Sequence, residues 1–184
     1  MADFEQIATG TLSSTANDID ITAIPSTFKH LELWLNLHSD ADVTDVTLKL
    51  RFNGITSNDY AIGSIYSNDG GTPWSYFNDG FSWVDYLQIG EAPGLYGTSS
   101  GNRDPNDTCN VVIRVFDYAS TSLTKVCHVE THSPFPIAGG NSAGSHMSIA
   151  TGGINTTSAI SSILIYPSTT PFSARCRYWL SGWA

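Results

Sequence analysis

Charge is the scarcest property of this chain. Lys, Arg, Asp and Glu make up only 14 % of its 184 residues, against about 25 % in an ordinary soluble domain. The surface must then be covered by Ser, Thr, Asn and Gly. Such a surface suits permanent contacts, because few long charged side chains have to be desolvated or ordered. Basic residues are scarcer still: 8 Lys and Arg stand against 17 Asp and Glu, a net charge of −9. Without clustered Lys or Arg, the chain is expected to bind neither nucleic acid, whose phosphates need such clusters, nor an anionic membrane. No apolar run approaches the roughly 18 residues that cross a bilayer as a helix. Met1 to Thr11 holds Asp3 and Glu5 with no basic start and no hydrophobic centre, so synthesis in a cytoplasm without a signal peptide is expected.

Cysteine is limited to Cys109, Cys127 and Cys176. An odd number without CxxC spacing predicts reduced, buried thiols packing as small hydrophobes; a disulfide would need an oxidising setting. Helical periodicity is missing too. No stretch of ten residues reads as a helix, and there is no repeat, heptad or collagen-like triplet.

What the chain does have is alternation. From His30 to His38, Leu31, Leu33, Leu35 and Leu37 share one face, while His30, Glu32, Trp34, Asn36 and His38 share the other, the period of a half-buried strand. Val46, Leu48, Leu50 and Phe52 repeat it against Thr47, Lys49 and Arg51, and Cys176, Tyr178 and Leu180 repeat it against Arg175, Arg177 and Trp179. Cys109 to Tyr118 and Ile160 to Tyr166 are apolar on both faces, which predicts central strands of a two-layer core or strands covered by another subunit. Further strands are expected at Phe4 to Leu12, Ile19 to Ile24, Tyr60 to Tyr66, Phe81 to Ile89, Leu123 to Thr131 and His146 to Thr151. Turn signals such as Asn53-Gly54, Asn78-Asp79-Gly80 and Gly139-Gly140 separate them. The expectation is one all-β domain over residues 1–184, an antiparallel β-sandwich of roughly eight to ten strands, with jelly roll the leading form. Gly90 to Asn106 and Ser133 to Ser145 read as long loops, where a sandwich usually carries its contacts.

Chemistry is harder to find, and no catalytic residue, metal ligand or cofactor is expected. Gly140-Asn141-Ser142-Ala143-Gly144 matches the G-x-S-x-G of hydrolases. That motif needs a strand before the Ser and a helix after it, whereas the residues that follow read as a strand. His128 and His132 are four apart, which on a strand separates them by about 13 Å, too far to share a metal. His30 and His38 have the same problem. Asp40, Asp42 and Asp45, and Asp104 and Asp107 with Asn102 and Asn106, supply oxygens without a calcium-loop spacing. The aromatics are more suggestive. Trp74, Tyr76, Phe77, Phe81, Trp83, Tyr86 and Tyr96 crowd a Gly- and Asn-rich stretch. There they either close one end of the core or contact a partner or a glycan, with Trp74, Tyr76, Phe77, Trp83 and Tyr96 as the candidate contact residues. The end of the chain, Trp179, Leu180, Trp183 and Ala184, is apolar enough to pack in the core or on a neighbour.

The order of several segments resembles that of small virion proteins of tailed bacteriophages. Ile19-Asp20-Ile21-Thr22-Ala23-Ile24-Pro25, leading through Phe28-Lys29-His30 to Leu31-Glu32-Leu33, is similar to their opening. Leu50-Arg51-Phe52-Asn53-Gly54 with Asn58 and Tyr60, then Asp117-Tyr118-Ala119 with Thr124-Lys125-Val126, resemble two later elements. Ser158 to Ile163 with Leu180-Ser181-Gly182 resembles the last one. The likeness runs through most of the chain but lapses from Trp74 to Tyr96, from Pro134 to Gly144 and in the final residues. It implies a β-sandwich on the outside of a phage particle, associated with itself as a homo-oligomer (a trimer) and with the major capsid protein or other virion proteins. It carries no catalytic residues. A capsid decoration (cement) protein is the role favoured by a short chain whose first strand begins near Met1. The rival role is a tail-fibre or receptor-binding domain that recognises a host glycan.

Overall fold

The computed structural model describes residues 4–39, 45–68, 75–78, 84–93, 108–136 and 143–184. Twelve strands and no helix run through them: β1 (Glu5–Thr11), β2 (Ile19–Ile21), β3 (His30–Leu37), β4 (Asp45–Phe52), β5 (Tyr60–Asn68), β6 (Ser75–Asn78), β7 (Leu87–Pro93), β8 (Cys109–Phe116), β9 (Lys125–Pro136), β10 (Ala143–Ile154), β11 (Ile163–Pro167) and β12 (Arg177–Trp183). They form an eight-stranded sheet in the order β1-β12-β3-β8-β9-β10-β5-β6 and a four-stranded sheet in the order β2-β11-β4-β7. Every pairing is antiparallel. The all-β antiparallel sandwich is as expected; the strands number twelve rather than eight to ten.

Alternation decides which side chains the two sheets share. Leu31, Leu33, Leu35 and Leu37 of β3, Val111, Ile113 and Val115 of β8, and Cys127 and Val129 of β9 point inward from the large sheet. Ile19, Ile21, Leu48, Leu50, Phe52, Leu87, Ile89, Ile163 and Ile165 meet them from the small one. Burying a Leu or Ile side chain of this kind contributes about 1.5–3 kcal/mol, so these shared layers hold the sandwich together. Cys109, Cys127 and Cys176 are buried without a disulfide, and burial pushes the Cys127 thiol up to about 12.

One bulge ties the sheets across the core. Between Leu48 and Lys49 the β4–β7 register shifts, and Gly90 takes a φ of 132°, a conformation that favours glycine. The shift takes the Ile89 carbonyl out of the regular ladder, and the Thr131 hydroxyl of the opposite sheet donates to it at 2.6 Å. A side chain at 90 would run into Thr131.

Several expected boundaries move. Ser133 to Ser145 is not one long loop, because Ser133–Pro136 and Ala143–Ser145 extend β9 and β10 in register with each other. Among the described strands β9 pairs with β8 only as far as His132, so Pro134 and Pro136 fall in the part of β9 that pairs on one side alone, with β10. Likewise Gly90 to Pro93 belongs to β7, while 94–107 lies outside the described residues. β2 stops at Ile21, before the positive φ of Ala23 and the ring of Pro25. His38, expected on the polar face, is buried. β3 ends one residue earlier, and the His38 imidazole packs under Ser173, with Nδ1 2.7 Å from its Oγ.

Candidate interaction face on the large sheet

The outer side of the eight-stranded sheet is where the surface departs from expectation. Register places side chains from distant parts of the chain in rows across the strands. One row runs Thr9, Trp179, Trp34, Val112, Glu130, Ile149 and Ile65. The next, on the Glu32 side, runs Ser181, Glu32, Arg114, His128, Thr151 and Gly63. Beyond it, Trp183 and His30 are paired, as are Phe116 and Val126 and then Gly153 and Ala61. Trp34 is 49 % exposed, Ile149 46 % and Trp179 41 %. Of the nine large hydrophobic side chains exposed among the described residues, seven (Trp34, Ile65, Phe116, Val126, Met147, Ile149 and Trp179) lie on this face; the others are Phe4 and Leu123. Apolar groups gathered in one place mark an interaction surface more strongly than the same groups scattered.

Its charges are few, and three of them satisfy one another. Arg114 donates from Nε to Glu32 at 2.8 Å and from Nη1 to Glu130 at 2.6 Å. The hydrogen bond to Glu130 holds the guanidinium above its ordinary value, against the effect of burial and with help from Glu32. Glu32 also accepts from the Trp34 indole at 2.7 Å, which satisfies the ring's one polar group. Asn36 donates to Asn110 at 2.8 Å. At one end, Phe4 stacks on Trp183, and His30 lies 5.2 Å from Trp183 and 5.6 Å from Phe116, ring centre to ring centre. The apolar chain end thus packs on this aromatic group.

The opposite surface of the sandwich is built otherwise. On the small sheet, Lys49 lies 4.0 Å over the Tyr86 ring and Arg51 lies 5.0 Å from that of Tyr166. Arg51 also pairs with Asp85. Its Tyr86 and Tyr166 are already capped by cations, whereas Trp34 and Trp179 of the large sheet remain substantially exposed.

The residues singled out from sequence fall elsewhere. Tyr76 and Phe77 belong to β6, but their side chains lie outside the described residues, as do Trp74, Trp83 and Tyr96. Ser142 is outside them too, while Ala143 and Gly144, the last two residues of its motif, already belong to β10. Asp40, Asp42, Asp104 and Asp107 are also outside, and among the described residues no three His, Cys, Asp or Glu side chains come together as metal ligands. One cluster escaped the sequence reading. Asn36, His38, Thr108, Ser173, Arg175, Cys176 and Arg177 line a cavity of about 230 Å³. There Ser173 Oγ donates to the His38 carbonyl at 3.3 Å, and the Cys176 thiol donates to it at 3.2 Å, so both side chains serve to lock two crossing segments. No spacing signal joins residues 135 positions apart.

The segments that carried the family resemblance come together at one end of the sandwich. Asn53 and Gly54 form a turn with φ of 51° and 63°. The Asn53 side chain accepts from the Ser161 and Ser162 amides and donates to the Ala159 carbonyl. Tyr118 donates from its hydroxyl to the Pro25 carbonyl, and its own carbonyl accepts from the Ile160 amide at 3.0 Å. The Phe28 ring fills the space a side chain at Gly182 would need. These residues build the scaffold, not the open face. No family model, no curated protein and no solved structure matches the chain.

Proposed function

We propose that this chain is a structural protein of a bacteriophage particle, an external capsid decoration protein that works by burying its large-sheet face against protein. The carrying observation is that face, which gathers seven of the nine exposed large hydrophobic side chains among the described residues, Trp34 and Trp179 side by side among them, on a chain poor in charge. Two further observations support the reading. Setting aside β5, β6, β9 and β10, the strand order reads β1-β12-β3-β8 and β2-β11-β4-β7, an order like that of the two four-stranded sheets of a jelly roll, a form many capsid domains take. The segments resembling phage virion proteins also interlock in space, through Asn53, Tyr118 and Gly182.

The test is particle association. The purified chain is expected to bind capsids of its phage and to raise the temperature at which they rupture, and Trp34→Arg is expected to weaken both effects. A chain that neither binds capsids nor is found in purified particles overturns the proposal. A second reading, glycan recognition on a fibre, is favoured by the neighbouring open rings of Trp34 and Trp179, since sugars stack on such rings. Glycan-array binding that is lost in Trp34→Ala would establish it.

A further inference from the structure

The outer face of the large sheet is divided into two unlike halves. The order β1-β12-β3-β8-β9-β10-β5-β6 has its midline between β8 and β9. On one side lie the bulky rings: Trp179 and Trp183 on β12, His30 and Trp34 on β3, and Phe116 on β8. On the other the exposed large hydrophobic groups are aliphatic, Val126 on β9, Met147 and Ile149 on β10 and Ile65 on β5, beside the small Gly153 and Ala61; His128 and His132 of β9 share this half, and Tyr76 of β6 takes the position paired with Ile65. We infer that this face pairs with the same face of a second copy of the chain, about a two-fold axis that runs along the strands between β8 and β9. The inference rests on the reading of this face as a protein interface and names its occupant.

The axis matches the halves row by row. It carries β3 onto β10 and β12 onto β5, so Trp34 comes to rest on the partner's Ile149 and Trp179 on the partner's Ile65. Phe116 meets the partner's Val126, and Trp183 lies over the small side chain of the partner's Ala61. An axis across the strands would instead set Trp against Trp. A two-fold contact has to be self-complementary, and here large side chains fall opposite small ones at equal distances from the midline.

Charge selects the same occupant. The ionised side chains on the face are Glu32, Glu130, Arg114 and Arg177, two of each sign, on a chain of net charge −9. Two copies therefore repel least when these faces meet. In the register above, Arg114 falls opposite His128, Glu32 opposite Thr151 and Glu130 opposite Val112, so no ionised group meets its like. The area suffices as well. Eight strands about 4.8 Å apart and six residues at about 3.4 Å each give a footprint on the order of 700 Å², close to the roughly 800 Å² that each partner buries in a stable complex.

Sedimentation velocity on the full chain tests this directly. The 19.8 kDa chain is expected to run as a dimer at micromolar concentration. Trp34→Arg and Ile149→Arg are each expected to raise the dissociation constant at least tenfold, with unchanged circular dichroism, since both positions are exposed. The register is checked with Trp34→Cys and Ile149→Cys, because the native thiols are buried. A short bis-maleimide should join the two variants when mixed and join neither to itself. A monomer, a trimer, a dimer indifferent to Trp34→Arg, or self-coupling of Trp34→Cys overturns the pairing. A monomer that still binds capsids would sink the pairing alone; a dimer that binds none would sink the particle role alone.

Discussion

Lys125 is the least ordinary residue of the interior. It is almost wholly buried, and its ammonium donates to the carbonyls of Ser120 at 2.5 Å, Leu123 at 2.7 Å and Thr157 at 3.4 Å. Burial pulls its pKa below the usual lysine value, with Asp117 acting the other way. Replacing it by Met keeps the stem and strands three carbonyls, so Lys125→Met is expected to cost about 1–3 kcal/mol in urea denaturation. Tyr60 gives the clearest pH dependence. Its hydroxyl accepts from the Phe52 amide at 2.9 Å and is wholly buried, and burial raises its pKa from 10.0 to about 12. The folded state then keeps a proton that the unfolded chain releases near pH 10. The resulting stability is fully present below pH 10 and disappears as the pH climbs towards 12. Cys127 adds to this from pH 9 upward, its pKa being raised from 9.0 to about 12. Urea midpoints measured from pH 8 to pH 11 should hold steady and then fall, and Cys127→Ala should delay the start of the fall.

At the scale of elements, the Thr131 bond across the bulge predicts that Thr131→Val, which keeps the shape and removes the donor, costs about 1–3 kcal/mol by leaving the Ile89 carbonyl unpaired. A midpoint equal to that of the unmodified chain would show that the bond is dispensable. Strands with strict alternation were legible in the sequence. β3, β4 and β12 lie where period two puts them, and Asn53-Gly54 turns where two adjacent residues tolerate positive φ. What escaped was set by partners. The four-residue β6 pairs with β5 alone among the described strands, and the far ends of β9 and β10 read as loop because Pro and Gly punctuate them, although the two stay in register with each other there. The candidate face was half legible. Parity alone put Trp34 and Trp179 opposite the buried leucines, but only the β12–β3 register makes them neighbours 145 positions apart (Trp34↔Trp179).

At the scale of the whole molecule, one sheet is twice as wide as the other, so the small sheet can cover only part of the large sheet's inner side, and nothing within the described strands covers its outer side. Arg114 is the polar centre of that outer side. Arg114→Leu is expected to leave Glu32 and Glu130 facing each other without their shared cation and so to weaken self-association, read as a shift towards monomer in light scattering. The nested pairing carries a consequence of a different kind. Among the described strands β1 bonds only to β12, and β2 only to β11, so two strands early in this order wait for partners from its far end. Such non-local closure places folding in the range of about milliseconds to seconds. Until β12 arrives, β1 is unpaired and β3 shows an open edge to every other nascent copy nearby. The speed of that closure would then set how long these edges stay exposed.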